Sequence, residues 1–372
     1  MTTCYLCGTE INHDTWTWEH VLLNSIGGRL KSRDLICRNC NSTFGHDIDS
    51  ELASQLNLFA NLLNISREKG TPPPIYGTTE TGNRISLDPG GKPVISKPDI
   101  SFNKSESGME IHFKTRNMSE ARKILKGLQR TYPQIDIKEI LQQAMTRSEY
   151  MKERVFLNTV FGGKKAFRAI VKMAVNFYIL SGGHREFIGH LIPYIKHGTV
   201  EDPVWFFYDH DEEILDQDPN QVIHGLILKG DPCEQILWCY VELFNALRFI
   251  VLLNDHYSGD IIFKEYLYDV LQVNEITKRN TVTVNRSKLL NLLMEKPRET
   301  NTLNHQLKKL SCIIAEKQRS DHLQQLIEQA VKNTLGSYPG GAIITKEMIK
   351  ECAREVAERV TPYLLHLWSD EQ

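Results

Sequence analysis

The sequence predicts an α+β protein with a small metal-held N-terminal module, a mixed helix and antiparallel-sheet body, and a helical C-terminal region. Three observations support this prediction. Four of the eight cysteines lie among the first 40 of 372 residues, a helical apolar period precedes several short strand patterns mid-chain, and the pattern is helical after Asn280. A composition of 41% hydrophobic and 24% charged residues is that of an ordinary globular protein. The length leaves room for roughly two or three domains.

The N-terminal cysteines form two Cys-x-x-Cys pairs, Cys4 with Cys7 and Cys37 with Cys40, separated by 29 residues. In a reducing compartment such pairs favour a metal site over disulfides. Four thiolates satisfy a tetrahedral zinc ion, or iron in its place, and leave no open coordination position, so the predicted site is structural. The alternative is four unrelated buried cysteines.

Between the two pairs, the sequence Trp16-Thr-Trp-Glu-His20 alternates like a short strand, and Gly27-Gly28 allows a sharp turn. Asn41 directly follows the second pair. This order of cysteines, Glu-His, Gly-Gly and Asn resembles the four-cysteine branch of the HNH endonuclease family, over about residues 4–51. The resemblance implies a treble-clef, or ββα-metal, fold with a structural zinc ion.

The resemblance also implies roles for individual residues. His20 matches the general base, and its ordinary pKa of about 6.5 suits proton removal from water near neutral pH. Glu19 and Asn41 match the ligands of a second, catalytic ion, for which oxygen donors indicate Mg²⁺ or Mn²⁺. Asp34 is the nearest candidate for the residue that orients the base. His46 is a further candidate metal ligand, with a helix-surface position as the favoured alternative.

The next segments follow from local patterns. Residues 1–52 are predicted as the nuclease module, with an amphipathic helix over Glu51–Arg67. Residues 53–103 then form the rest of this helix and a linker, because six prolines between Thr71 and Pro98 favour an extended linker or irregular strands over helix. The predicted body, residues 104–278, contains a strand at Glu110–Lys114, a helix over Glu120–Arg130 with Ser119 as its N-cap, and another strand at Val155–Phe161.

The rest of the body is predicted as a long helix over Lys164–Leu180, packed on an antiparallel sheet. The candidate strands are Val204–Tyr208, Val222–Leu228, Ile236–Phe244, Leu247–Leu253 and Ile261–Tyr268. Residues 279–372 are predicted as helical, with long helices over Leu303–Leu335 and Lys346–Trp368. These helices could belong to the core or form a homodimer.

The net charge of −2 conceals an uneven distribution. From Lys104 to Asn176 there are 15 Lys or Arg against 7 Asp or Glu, whereas Thr199–Asp260 has 13 acids against 2 bases. The basic stretch suggests a polyanion-binding face; the alternative is two solvated faces. The predicted nucleic-acid contacts are Arg29, Lys31, Arg33, Arg122, Lys123, Lys126, Lys164, Lys165, Arg168 and Lys172, with the last four on an exposed helix face.

The residues and the resemblance together favour a metal-dependent DNA endonuclease, with restriction or phage defence as the implied setting. The alternatives are a non-catalytic zinc finger that binds nucleic acid and an HNH nuclease that acts on RNA. A partner protein or trigger for the body stays open. No run of about 18 apolar residues and no secretion signal is present, so we expect a cytoplasmic protein without a membrane span.

Overall fold

The computed structural model describes residues 2–105, 108–144, 150–199, 201–208, 218, 220–277, 284–297, 300–336, 338–339 and 341–370. Tertiary contacts divide the chain into two compact units. Unit 1 comprises Met1–Pro73 and Thr159–Lys317, and unit 2 comprises Pro74–Asn158 and Gln318–Gln372. Each unit is assembled from two separate stretches, whereas the predicted domain boundaries follow the chain in order.

Unit 1 begins with a short hairpin and two helices. Strands β1 (Glu19–His20) and β2 (Lys31–Ser32) pair antiparallel, and helices α1 (Arg38–His46) and α2 (Ile48–Leu62) follow. Between the strands the chain turns at Gly27 and Gly28, as the sequence predicted. Gly27 has a φ of 96°, and a Cβ on Gly28 would lie 2.1 Å from the carbonyl oxygen of Leu22.

Helix α2 begins and ends earlier than the predicted helix over Glu51–Arg67. The apolar residues Leu63 and Ile65 that suggested a longer helix are buried, but they lie in a turn in which Asn64 has a φ of 50°. Helical spacing alone does not distinguish buried turn residues from a further helical turn, which explains the error.

The second stretch of unit 1 contains a helix and a six-stranded sheet. Helix α5 (Lys164–Leu180) has the predicted bounds. The sheet is antiparallel in the order β14-β13-β10-β11-β12-β9, and it contains all five predicted strands. Its strands are β9 (Val204–Phe206), β10 (Ile223–Asp231), β11 (Ile236–Leu243), β12 (Leu247–Asn254), β13 (Ile262–Asp269) and β14 (Asn274–Ile276).

Both faces of this sheet are covered within unit 1. One face packs with α5 and the N-terminal module in the main core. The other face, which includes Trp238 and Ile250, packs with Leu289 of helix α7 (Arg286–Glu295) in a second core. Helix α5 therefore lies between α2 and the sheet, and every residue from Ala166 to Tyr178 is buried.

This packing makes one sequence prediction wrong. Arg168 and Lys172 were expected on an exposed basic face of α5, but they are 7% and 1% exposed. The helix is covered on two sides, so its polar stripe faces the N-terminal module instead of solvent. Lys164 and Lys165, one turn earlier, remain exposed.

Unit 2 contains regular strands in the segment that the sequence predicted as an extended linker or irregular strands. Strands β3 (Ile75–Thr79), β4 (Arg84–Asp88), β5 (Lys92–Ile95) and β8 (Val155–Phe156) form a sheet in the order β5-β4-β3-β8. Pro93 lies on the edge strand β5, where its missing N–H breaks no ladder between two neighbours. Strand β8 is much shorter than the predicted strand over Val155–Phe161.

The remaining elements of unit 2 follow the predictions more closely. Strands β6 (Asp99–Ser105) and β7 (Gly108–Lys114) form a hairpin, and α3 (Met118–Thr131) and α4 (Ile137–Gln143) follow. Asn117 rather than Ser119 caps α3, because its Oδ1 accepts a hydrogen bond from the backbone N–H of Glu120 at 2.9 Å.

Helices α6 (Ile192–His197), α8 (Thr300–Leu335) and α9 (Lys346–Asp370) complete the described elements, together with two 3₁₀ turns at Asn24–Ile26 and Arg185–Leu191. Helices α8 and α9 confirm the two long C-terminal helices. In the described part of the chain, no helix combines the length and apolarity that crossing a bilayer requires.

Candidate active site in the N-terminal module

The four N-terminal cysteines come together as predicted. Their sulfur atoms all lie within 4.8 Å of one another, and the Cys7 and Cys37 sulfurs are 3.6 Å apart. Tetrahedral zinc with Zn–S bonds of about 2.3 Å requires sulfurs a little under 4 Å apart. The donor set therefore fits a closed zinc site. The site also positions the start of α1, since Cys37 is its N-cap residue and Cys40 lies in its first turn.

The β1–β2 hairpin presents Glu19 and His20 in opposite directions. Glu19 pairs with Ser32 and His20 with Lys31 across the hairpin, and neighbouring side chains on a strand alternate between faces. Glu19 is 2% exposed, whereas the side chain of His20 is 20% exposed. The hairpin thus buries the acid and leaves the imidazole accessible.

A cleft of about 220 Å³ lies beside His20. It brings together three residues that the resemblance singled out, Glu19, His20 and Asn41, and adds Asp49 from the first turn of α2. The other lining residues are Trp18, Leu23, Asn24, Ser25, Gly45, Ser50 and Ala53. Asp34 and His46 are not among them.

The imidazole of His20 faces an acid that sequence reasoning missed. Its Nε2 lies 3.3 Å from Glu68 Oε2, and the ammonium of Lys31 contacts the other oxygen, Glu68 Oε1. Burial lowers the pKa of His20, and the nearby Glu68 carboxylate only partly opposes this shift. The residue expected to orient the base, Asp34, is exposed and lies outside the cleft. No spacing rule pointed to Glu68, which follows α2 in an irregular segment.

Asn41 is held by its amide nitrogen. Its Nδ2 donates hydrogen bonds to the carbonyl oxygen of Trp18 at 2.9 Å and to Thr17 Oγ1 at 3.2 Å. Both donor hydrogens are therefore used to fix α1 against the segment that precedes strand β1. The amide oxygen is the remaining polar atom, and it is the oxygen that could bind a cation.

Glu19 belongs to a buried polar network that joins the module to helix α5. Its Oε1 accepts hydrogen bonds from the Lys172 ammonium and, at 2.8 Å, from Asn176 Nδ2. Tyr5 OH donates to Asn176 Oδ1 at 2.7 Å. Burial alone would lower the pKa of Lys172, but the two neighbouring carboxylates outweigh it and raise the pKa, so the ammonium stays charged.

Asp49 is the second carboxylate of this network. Its Oδ2 lies 2.8 Å from the Lys172 ammonium, whereas its Oδ1 is buried and has no hydrogen-bond partner among the described residues. A buried oxygen without a donor is costly unless a cation or water completes it. Glu19 and Asn41 line the same cleft, and carboxylate and amide oxygens are the donors that a divalent cation such as Mg²⁺ or Mn²⁺ prefers.

The predicted nucleic-acid contacts fall into three groups, of which the first two are buried cations and paired cations. Arg168 and Lys172 are buried in ion pairs with Asp47 and with Glu19 and Asp49, so neither can reach a phosphate. Several others are accessible but paired within unit 1. These pairs are Lys165 with Asp47, Lys164 with Asp202, Lys31 with Glu68, and Arg29 with the carbonyl of Ser66.

The more accessible cations lie at two places. In the module, the guanidinium of Arg33 stacks on Trp16 and Trp18, 4.0 and 4.3 Å from the ring centroids, and Trp18 lines the cleft. In unit 2, Arg122, Lys123 and Lys126 are exposed along α3. His46 is also exposed and donates from Nδ1 to the carbonyl oxygen of Ser42 at 2.7 Å, as expected for a helix-surface residue.

The four-cysteine cluster, the hairpin and helix α1 form a small module in which a histidine lies beside an oxygen-lined cleft, the arrangement expected of the ββα-metal class. Comparison with protein families supports this class directly. Residues 4–57 match the family described as HNH endonuclease, which confirms the resemblance seen in the sequence. No curated protein and no solved structure is significantly similar to the chain.

Proposed function

We propose that the chain is a cytoplasmic, metal-dependent endonuclease that hydrolyses DNA phosphodiester bonds at the His20 cleft. The observation that supports this most strongly is the meeting of His20, Asn41, Glu19 and Asp49 around one cleft, within the segment that matches the HNH endonuclease family. A finger that only binds nucleic acid has no need of a histidine beside three oxygen donors.

His20 acts as the general base in this proposal. Because Nε2 faces the Glu68 carboxylate, the proton favours Nε2, and Nδ1 is left as the basic nitrogen. The lowered pKa keeps the imidazole neutral near pH 7, so it can take a proton from the attacking water. Glu68 then stabilises the imidazolium that forms.

Glu19, Asn41 and Asp49 would hold a Mg²⁺ or Mn²⁺ ion. Such an ion, when bound, offsets the charge that develops on the phosphate and on the leaving 3′ oxygen. Asn41 keeps its oxygen in place because its amide nitrogen is fixed by Trp18 and Thr17. Arg33 at the rim, and Arg122, Lys123 and Lys126 in unit 2, are the proposed phosphate contacts.

His20→Ala tests the proposal against both alternatives. The purified chain is incubated with plasmid DNA and with structured RNA in Mg²⁺, Mn²⁺ or EDTA. We expect DNA cleavage that EDTA abolishes and that the variant loses by at least about 100-fold, since general-base catalysis contributes about that much. His46→Ala, which alters an exposed histidine outside the cleft, is the matched control and should cleave like the wild type.

Other results would change the conclusion. Cleavage of RNA alone would favour the ribonuclease alternative. Binding of either nucleic acid without cleavage in any metal would favour the non-catalytic finger and would overturn the proposal.

The proposal extends to the setting and assembly of the enzyme. The resemblance suggests restriction or phage defence, and phage plating efficiency that is equal with wild type and His20→Ala would contradict it. The exposed apolar residues Leu364, Leu365 and Trp368 on α9 suggest a homodimer, and a monomeric mass by light scattering at micromolar concentration would contradict that.

A further inference from the structure

Helix α5 places a lysine behind the two carboxylates of the cleft. Lys172 and Asn176 lie one helical turn apart and are buried, and both contact the module that matches the nuclease family. Fully buried lysines are rare unless they are paired. The charge behind the two carboxylates of the cleft thus comes from a residue far outside the matching segment 4–57.

The contacts divide the oxygens of the two carboxylates. Lys172 contacts Glu19 Oε1 and Asp49 Oδ2, but it does not line the cleft. Glu19 and Asp49 do line the cleft, and Asp49 Oδ1 has no hydrogen-bond partner among the described residues. One ammonium beside two carboxylates leaves a single net negative charge. This net charge attracts a divalent cation. The ion cannot bind between Glu19 Oε1 and Asp49 Oδ2, because the Lys172 ammonium already fills that space.

The same helix offers a pair for comparison. Arg168, one turn before Lys172, forms an ion pair with Asp47 at 3.2 Å and donates hydrogen bonds to two backbone carbonyls. Asp47 does not line the cleft. The Arg168 pair thus joins α5 to the module without contacting the cleft. A second buried ion pair between α5 and the module, formed by Lys172, is a poor source of stability, because apolar side chains of similar volume often stabilise a protein as well as a buried ion pair does.

We propose that Lys172 is a positioning residue of the nuclease site, whose ammonium fills the buried side of Glu19 and Asp49 and directs a divalent cation to the oxygens near His20 and Asn41. This inference rests on the proposed function. It adds that residues 4–57 do not contain the whole site, because the positive charge that determines where the cation binds belongs to Lys172 on helix α5.

Lys172→Met tests the proposal in the zinc-loaded full chain. Manganese binding is measured by the electron paramagnetic resonance signal of free Mn²⁺, without nucleic acid, and plasmid cleavage is measured separately. Loss of one positive charge beside two carboxylates should tighten Mn²⁺ binding at least about tenfold. Cleavage should nevertheless slow by about 100-fold in kcat, because the ion moves to the buried side and away from the water that His20 activates.

Arg168→Met is the matched control, since it removes an ion pair from the same helix without touching the cleft. Its Mn²⁺ affinity should stay within about twofold of the wild type. If Lys172→Met does not fold, Lys172→Gln replaces it, because the amide keeps a hydrogen-bond donor at this position but carries no charge. That variant also loses the positive charge beside the two carboxylates, so it should bind Mn²⁺ at least about tenfold more tightly than the wild type and still cleave slowly.

Unchanged Mn²⁺ affinity in Lys172→Met, or wild-type cleavage by either Lys172 variant, would overturn the role of Lys172. Failure of the proposed function is a separate result. A wild-type chain that binds Mn²⁺ but cleaves no nucleic acid would reject the nuclease, while the affinity comparison would still decide whether Lys172 sets the charge of the cation site.

Discussion

At the scale of single residues, two side chains of the cleft each have one polar atom beside a supporting group and a second atom that serves the proposed chemistry. Asn41 donates with its nitrogen to Trp18 and Thr17, just before strand β1, and keeps its oxygen. His20 turns Nε2 toward Glu68 and keeps Nδ1. Such supporting contacts fix orientation, so their loss should reduce the rate of a reaction without removing any reacting group.

Glu68→Gln tests this at the imidazole. The amide removes the negative charge that favours a proton on Nε2, so we expect cleavage to fall about 10- to 100-fold in kcat. Glu10→Gln, a change at an exposed acid of the same module, should leave kcat unchanged. Since the change also frees Lys31, an effect confined to KM would indicate altered nucleic-acid binding and would contradict the orienting role of Glu68.

At the scale of elements, the zinc site and helix α1 form one unit of structure. Cys37 precedes the first residue of α1, and Asn41 lies one residue beyond Cys40 on the same helix. The module also packs with α5 and the sheet in the main core, so we expect metal binding to add to the stability that this core provides. Because the thiolates lie at the start of α1, we expect the place of Asn41 in the cleft to depend on them.

Cys37→Ser should accordingly lose both the metal and the cleft. We expect bound zinc to fall from about one ion per chain to well below stoichiometric, with loss of cleavage, because three thiolates hold the ion more weakly. Metal analysis by mass spectrometry measures this. Cys233→Ser, at an exposed cysteine outside the cluster, should keep the wild-type zinc content. Full zinc in Cys37→Ser would show that the closed site is wrong.

At the scale of the whole molecule, unit 1 joins the module to the sheet through buried polar contacts. His224 on β10 is fully buried, with Nε2 donating to the carbonyl oxygen of Ile26 at 2.9 Å and Nδ1 accepting from the backbone N–H of Phe244 at 3.1 Å. Both bonds require a neutral imidazole. Burial lowers the pKa of His224 to about 4.

This histidine should make unit 1 less stable in mild acid. The folded pKa lies below the ordinary value of about 6.5, so the unfolded chain binds the proton first as the pH falls. The contribution of neutral His224 to the free energy of unfolding is complete above pH 7 and is lost between about pH 6.5 and 4. At pH 5 the loss is about 2 kcal/mol. Urea unfolding at pH 7.5 and pH 5 measures it. His224→Gln should show a smaller loss over this range, and an equal loss would contradict the assignment.

The sequence predicted the elements that have strong local signals. It failed where the same sequence pattern occurs in two different structural settings. Helix α5 and five strands of the six-stranded sheet follow from apolar periodicity, whereas the short strand β14 has no such signal. The prolines around β3 to β5 favour a linker or irregular strands over regular structure, although an edge strand accepts a proline. The basic residues of α5 have the same spacing on a solvated face as on a buried one, so their burial could not be predicted.

The four clustered cysteines, the Glu19-His20 pair and Asn41 could be predicted from the sequence alone, because their arrangement depends on short spacings that the local chain maintains. Only the tertiary structure showed that Glu68, Asp49 and Lys172 surround these residues. Lys172 lies 153 residues from Glu19. Contacts at such separations are set by how a helix packs between a module and a sheet, and no local pattern records which of its side chains will meet a partner.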